Sequence, residues 1–561
     1  MSSFSSKGSL PEPKRKRVLI VGAGAAGCAC ADQLSSRPDL FDVTLVESSG
    51  HCGGQAFSIP VDSARFGTSW LNQGVQGGSH VYHHVIHMMA KQNVAPTPVD
   101  LSFSFGKGDL FWTNLFPTEF VRDHEEDIKR FRSALTVMSR LSWIFGFMPV
   151  KHSLRLFRFT EDFIERMVFP TLSLWFGTGN TTPDVPTSML ILFYTDPNCG
   201  MWHPIDNRNL SSKLPEMLVF PNMSEFYNRW QASLEQRNVR IRLSARLTSV
   251  VNRSSKGVTV KLVKIRSRSV GHLAVPTEDE KSPCESEEDY DEIVFCILAD
   301  AALEVLGSQA TWLERKVLGA AKFSNDSTVT HCDTEYMRKH YHVEYTPELD
   351  VLRVDEPSDE EKRSKSFHPM YLVRHDAKEP KKIEMSFNCS QFQPQLKSRN
   401  LRIEDQIFQT VFLNDENKAS WTKNEIQPEK IIRVDEFHQV RQGWRHFFRV
   451  VPGLALIQSH KRHTHYAGAW SLVNAHEVAV VSGLAAAYAL GAGYPAELAR
   501  DPWAHASFEG YLAVAYRLWG NAVKLPSSKR RRDPSSHSRF LQAPLASKSA
   551  KKSGHSSSAT L

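Results

Sequence analysis

Val18-Leu-Ile-Val-Gly22-Ala-Gly24-Ala-Ala-Gly27 is a short apolar run that breaks into glycines at G-x-G-x-x-G spacing. Such a run reads as a buried strand turning directly into a helix. Gly22 permits the tight turn, Gly24 lets backbone approach a pyrophosphate, and Gly27 lets the helix pack closely on the strand. Ala25 and Ala26 carry the first free N–H groups of the helix, where its positive end meets phosphate. The helix runs to about Ser35 and a second strand spans Asp42–Glu47. Glu47 follows Gly27 by 20 residues, the distance at which an acid accepts hydrogen bonds from a ribose. A lone G-x-G-x-x-G decides little. The strand before it, the helix after it and the acid at this distance together decide for a dinucleotide site.

A length of 561 residues gives two or three domain-sized units. The composition is that of a soluble globular chain: 41% hydrophobic and 23% charged residues. No uncharged apolar run reaches about 18 residues. The nearest, Ala134–Val150, is interrupted by Arg140, so membrane contact is expected to be peripheral at most. The N-terminal residues lack the apolar segment of a secretory leader. Eight cysteines without paired spacing point to a reduced, cytoplasmic setting, and Cys28 and Cys30 diverge on the first helix. The net charge of +7 is weighted to two runs, Lys14-Arg-Lys-Arg17 and Lys529-Arg-Arg-Arg532, and says little about the partners of the folded body. Pro13-Lys-Arg-Lys-Arg-Val18 has the composition of a nuclear-import signal, but basic residues ahead of a first buried strand look the same.

Beyond Glu47 the chain continues Ser-Ser-Gly-His-Cys-Gly53-Gly54, and a glycine pair there lets a second backbone segment close over the pyrophosphate. This E-x5-GG extension resembles the flavin-containing amine oxidase and phytoene desaturase superfamily. Val239-Arg-Ile-Arg-Leu243 with Gly257-Val-Thr-Val260 resembles its strand pair near the adenine end, and Asp291–Cys296 followed by Ala299-Asp300 resembles a further strand. Tyr466-Ala-Gly468-Ala-Trp470 leading to Val480-Val-Ser482-Gly483 resembles its C-terminal motif, in which a helix N-terminus points at the flavin. Pro98–Ser104, Thr328–Asp333 and Asn474-Ala-His476-Glu477 resemble a branch of predicted NAD/FAD-binding proteins.

The resemblance implies an α/β fold: a Rossmann-like, glutathione-reductase-like FAD-binding domain of β-β-α type, interrupted by a discontinuous α+β substrate domain. The FAD-binding parts are expected at 17–110, 216–310 and 451–522, a helical cap at 111–215, and an antiparallel-sheet substrate domain at 311–450. Residues 1–16 and the basic tail 523–561 are expected to be disordered. Within this scheme 120–175 is helical (Phe131, Leu135, Met138, Leu141 and Ile144 recur at helical spacing), and the acid-rich insertion Ile265–Glu292 is a solvated loop.

The implied FAD contacts are Gly22, Gly24, Ala25, Ala26, Gly27, Glu47, Gly53, Gly54, Gln55, Gly67, Thr68, Leu247, Gly468 and Val480. Gln55 stands where the superfamily commonly has a basic residue, so a cation such as Arg65, or backbone alone, would meet the phosphate charge. Tyr466–Trp470 contains no tethering cysteine, so the FAD is expected to be non-covalent. In this superfamily flavin chemistry needs little from catalytic side chains. His476 and Glu477, beside the C-terminal motif, are the candidates for orienting substrate or moving a proton, with helix capping as the plainer role. Trp70 and Asn72 are placed along the cavity wall, where an aromatic more often serves as core.

His80, His83, His84 and His87 include two i,i+4 pairs, but Val81, Val85, Ile86 and Met88 make the segment a packed amphipathic helix, and no metal is expected. His460, His463 and His465 read as a solvated strand edge. The implied activity is hydride transfer from a C–N or C–C bond of a small amine or apolar substrate, with oxygen as acceptor. The alternative is a flavin-binding regulatory protein whose basic ends contact nucleic acid or protein; nucleic-acid binding is the less expected of its partners.

Overall fold

The computed structural model describes residues 15–196, 202, 205–206, 208–211, 214–265, 285–352, 357–397 and 402–518. Residues 1–14 and 519–561, and residues 266–284 of the acid-rich insertion, lie outside the described residues; of the N-terminal segment expected to be disordered, Lys16 instead begins the first strand.

The apolar run becomes the strand Lys16–Val21, whose last four residues are buried. It pairs in parallel with Phe41–Val46 on one side and Glu292–Phe295 on the other. Arg240–Arg242 and Thr464–Tyr466 extend the two flanks, giving a five-stranded, wholly parallel sheet drawn from distant parts of the chain. Near-continuous apolar strands suit a sheet covered on both faces. The helix Ala25–Leu34 is buried at all ten positions. One reason is the helix His476–Leu490, packed so tightly on it that a Cβ at Gly483 would lie 2.1 Å from the Ala26 carbonyl oxygen.

A three-stranded antiparallel sheet, Ala245–Ser254, Gly257–Lys264 and Glu285–Tyr290, crosses from this core. Its third strand corrects the reading of the acidic run as a loop. Glu285, Glu287 and Asp289 face solvent, while Glu288 turns back to pair with Arg242 at 2.6 Å and to accept from the Tyr290 hydroxyl at 2.8 Å. Charge recurring at every second residue is a strand with one wet face.

The remaining large sheet has seven strands in the order Ile431–Val440, Phe323–His331, Phe408–Phe412, Ile383–Asn388, Tyr371–His375, Phe103–Phe105 and Trp112–Thr113. All its pairs are antiparallel except Tyr371–His375 with Phe103–Phe105. The strand Phe103–Phe105, left by the sequence reading with the first nucleotide-binding stretch, therefore belongs to this second sheet. Against it pack the helices Glu125–Arg140, Phe169–Phe176 and Thr187–Thr195, around Phe131, which meets the rings of Phe159, Phe163, Tyr194 and Trp202. The strand Thr464–Tyr466 is not a solvated edge: His465 is completely buried and stacks on Tyr516.

On the strand Phe323–His331, burial lifts the Asp326 carboxyl from its ordinary 3.8 to about 7, against a hydrogen bond from the Asn414 N–H and with Asp415 and Glu436 adding repulsion. A carboxyl that binds its proton more readily folded than unfolded stabilises the fold less as pH rises from about 4 to 7. Asp326→Asn keeps the acceptor for Asn414 and is expected to stabilise the protein by about 2–4 kcal/mol at pH 8 and to leave it unchanged at pH 4. Urea unfolding at the two pH values tests this; equal effects at both would remove the half-buried carboxyl as the cause.

Candidate cofactor and active site

Three glycine-bearing segments converge where the parallel strands end. Gly22 adopts φ 98°, and a Cβ there would lie 2.8 Å from the Cys296 carbonyl oxygen and from Ile297 Cγ2. A Cβ at Gly27 would lie 1.8 Å from the Gly22 carbonyl oxygen. Both positions are glycine because the turn has no room. Gly24 differs: its backbone is extended, and a Cβ there would meet nothing within 4 Å. It faces open space directly under the N-terminus of Ala25–Leu34, which no side chain caps. An uncapped helix start leaves the N–H groups of Ala25 and Ala26 and the positive helix end turned toward that space.

The second segment closes on the first. The Gly53 N–H donates to the Ala23 carbonyl at 2.9 Å, and a Cβ at Gly54 would approach Gly24 Cα to 3.3 Å. Glu47 stands beside them, its two carboxylate oxygens accepting from the Ala23 N–H and the Ser49 N–H, both at 2.8 Å. The Ala245 N–H donates to the Glu47 carbonyl at 2.9 Å, so the strand Ala245–Ser254 starts alongside the acid. Leu247 follows two residues on, buried and next to a break in register with its partner strand.

The third segment follows the last parallel strand. The Ala467 N–H donates to the Phe295 carbonyl, the Gly468 N–H to Ser482 Oγ at 2.8 Å, and Trp470 Nε1 to the Ile297 carbonyl at 2.9 Å. Ile297 is the residue against which Gly22 is packed, so the first and last motifs share one wall. Val480 is buried in the helix that leaves this turn. Ligands of open α/β sheets bind at these strand ends.

Gln55 links the Gly53-Gly54 turn to the seven-stranded sheet. It donates to the His438 carbonyl at 3.2 Å and accepts from Gln439 at 3.2 Å, and Gln439 in turn accepts from Asn474 at 2.8 Å. His438 also reaches Asp300 at 2.7 Å. The sequence reading had no signal for this amide seam, whose members are hundreds of residues apart. Arg65 donates to Cys332 Sγ at 3.2 Å and lies over the Phe66 ring. Gly67, at φ 69°, ends the short helix Ser63–Phe66, and buried Thr68 donates to the Trp70 carbonyl at 3.3 Å. Asn72 is fully buried, with its amide nitrogen on the Phe220 and Pro221 carbonyls at 2.9 Å.

His476 and Glu477 begin the helix that faces this wall, and both are buried. Burial pushes the His476 imidazole down to about 4, so it is neutral near pH 7, with Nε2 3.0 Å from the Tyr227 hydroxyl. Glu477 accepts from the N–H groups of His84 and Val85, at 3.0 and 2.9 Å, and lies 2.6 Å from His84 Nδ1. It thereby caps the helix His83–Lys91 from another part of the chain. The other ring nitrogen of His84, Nε2, lies 2.8 Å from the Tyr494 hydroxyl. His80 pairs with Glu216 and His83 with Asp501, so the histidine cluster disperses to separate partners. Among the described residues no group of three His, Cys, Asp or Glu side chains is placed to hold a metal, and no helix is long and apolar enough to cross a membrane.

Residues 20–91 match the family model of the NAD(P)-binding Rossmann-like domain. Three solved structures are similar over most of the chain. A fatty acid isomerase from P. acnes is 15% identical, with 85% of this chain and 98% of that one covered and a TM-score of 0.50. A putative protoporphyrinogen oxidase from Exiguobacterium sp. 255-15 is 13% identical, with coverages of 85% and 99% and a TM-score of 0.52. Cyclohexylamine oxidase from Brevibacterium oxydans IH-35A is 12% identical, with coverages of 85% and 100% and a TM-score of 0.51. At these identities the likeness is one of fold, shared with all three proteins over most of the chain.

Proposed function

We propose that the chain is an FAD-dependent oxidoreductase that removes a hydride from a C–N or C–C bond of a small organic substrate, amine oxidase-like or desaturase-like, with oxygen as the acceptor. The observation that carries this reading is the open position at Gly24 beneath an uncapped helix N-terminus, with the glycine pair and Glu47 closing around it. A pyrophosphate and its ribose need that combination of close backbone, N–H groups and a carboxylate. Gly22, Gly24, Ala25, Ala26, Gly27, Glu47, Gly53 and Gly54 would hold the adenine and pyrophosphate end with Leu247 beside it. Gln55, Gly67, Thr68, Gly468 and Val480 would border the rest. Bound there, FAD supplies a two-electron acceptor that the side chains lack.

His476 and Glu477 serve this site as positioning groups. The carboxylate of Glu477 is committed to the helix His83–Lys91, and neutral His476 to Tyr227. Together they hold in place the N-terminus of His476–Leu490, whose positive end favours charge developing on a reduced cofactor. The absence of cysteine from Tyr466–Trp470 supports non-covalent binding.

The purified chain is expected to be yellow, to release its flavin on denaturation, and to bleach anaerobically with an amine or an apolar substrate and recover in air. Protein that stays colourless after incubation with FAD would overturn the cofactor assignment. Bound flavin that no amine and no apolar substrate reduces would favour the regulatory alternative.

A further inference from the structure

The helical cap exposes large apolar side chains where three of its helices meet. Trp143 is 77% exposed, Phe147 65%, Leu156 64% and Leu192 55%, with Ile144 close behind. Single exposed apolar residues are ordinary, but a contiguous patch marks a binding surface. Contiguity here follows from the packing. The helix Ser142–Phe145 and the helix Val150–Leu156 both pack on Thr187–Thr195. Phe145 and Phe157 meet with ring centroids 5.6 Å apart, which joins the two segments that carry Ile144 and Leu156. The turn carrying Phe147 is tied down: the Thr187 N–H donates to the Met148 carbonyl at 2.8 Å and the Ser188 N–H to the Gly146 carbonyl at 3.2 Å. The rings are therefore presented by an ordered scaffold.

The stretch of sequence that carries most of the patch is basic. From Ile128 to Thr160 the sequence holds seven Lys and Arg residues and no Asp or Glu. Four of them are met by acids from outside that stretch or its borders: Lys129 by Glu125 and Glu126, Arg130 by Asp127, Lys151 by Asp184 and Arg155 by Glu161. Arg132, Arg140 and Arg158 are exposed and form no ion pair among the described residues. Aromatic and aliphatic side chains flanked by unpaired arginines match the interface of a bilayer with anionic headgroups, the rings entering the headgroup boundary and the guanidinium groups taking phosphate or carboxylate.

We propose that this face of the cap, centred on Trp143 and Phe147, docks the protein on an anionic lipid surface. Docking of this kind is peripheral, since no helix among the described residues can span a bilayer. It does not depend on the flavin reading: protein with and without FAD is expected to bind vesicles alike.

The test is co-sedimentation of the full chain with vesicles of phosphatidylcholine alone and of phosphatidylcholine mixed with phosphatidylserine. Binding is expected to the mixed vesicles and to weaken as salt is raised. The double variant Trp143→Ser, Phe147→Ser is expected to lower binding by roughly tenfold or more, as is Arg132→Glu, Arg140→Glu, Arg158→Glu. Trp312→Ser, at a site 70% exposed outside this segment, is expected to bind as the parent does. Unchanged circular dichroism excludes misfolding as the cause.

Three results would overturn the proposal. One is wild-type protein that ignores both vesicles. Another is binding that survives loss of Trp143 and Phe147 but fails when Lys529–Arg532 is neutralised. The third is an oligomer that the Trp143, Phe147 double variant disperses while vesicles remain unbound, which would make the patch a protein interface.

Discussion

Gly24→Val is expected to give a folded protein that has lost its flavin. The backbone at Gly24 has φ −71° and ψ −174°, which any residue adopts, and a Cβ there meets no protein atom within 4 Å. The apoprotein fold therefore has no objection to a side chain. A pyrophosphate lying against the N-terminus of Ala25–Leu34 does, because the added carbons take the space that lets the backbone approach it. Gly27→Ala sets the contrast three residues away. Its single added carbon would sit 1.8 Å from the Gly22 carbonyl oxygen, so strand and helix must separate and folding itself fails. The pair divides the fingerprint into one glycine kept for the ligand and one kept for packing. Flavin absorbance and thermal melting, measured on both variants after incubation with FAD, read the two effects separately. Full flavin occupancy in Gly24→Val would refute the placement of the pyrophosphate; a soluble, cooperatively melting Gly27→Ala would refute the packing account.

What the sequence made legible were features whose physics is local. The G-x-G-x-x-G turn, the helix behind it and Glu47 follow from sterics and hydrogen bonding within about thirty residues, and the structure places them together. The Gly53–Gly54 pair was readable for the same reason. The acidic strand Glu285–Tyr290 was not, because its alternation of exposed and half-buried acids looks like plain hydrophilicity until Arg242 is seen across from Glu288. His84 and Glu477 are separated by 393 residues and Gln55 and Gln439 by 384, so no spacing rule could bring either pair together. Aromatic content alone could not sort the cap. Phe159 and Phe163 went to the core and Trp143 and Phe147 to the surface, and only the helix orientations decide between them. The glycine turn with Glu47 beside it is thus a local feature. The amide seam, the buried anchors and the exposed apolar face of the cap are tertiary ones.

Removing the carboxylate of Glu314 is expected to cost about 3–5 kcal/mol of stability, the usual loss when a buried ion pair is broken from one side. Arg253 and Glu314 face each other at 2.7 Å through both terminal guanidinium nitrogens and both carboxylate oxygens, with side chains 0% and 2% exposed. The same carboxylate accepts from the Tyr466 hydroxyl at 2.7 Å and from the Thr311 N–H at 2.7 Å, the latter closing the capping box of the helix Trp312–Leu318. One side chain therefore joins three elements: the strand Ala245–Ser254, that helix, and the last parallel strand, from which the Gly468 turn departs. Burial alone would push the Glu314 carboxyl up, but Arg253, the Thr311 N–H and Tyr466 outweigh it and bring it down to about 2, from 4.5. A carboxyl lowered on folding stabilises the protein fully above pH 4.5, and that stabilisation, about 3 kcal/mol, is lost as pH falls toward 2. Glu314→Ala strands the Arg253 guanidinium among buried groups at every pH. Glu314→Gln keeps acceptor and shape, should be less damaging near neutrality, and removes this acid-dependent component. Urea unfolding of the parent and both variants across pH 3–7 tests the assignment. A Glu314→Ala midpoint equal to the parent's, or a Glu314→Gln protein with the parent's full acid sensitivity, would show that the pair does not hold the strand from which the Gly468 turn departs.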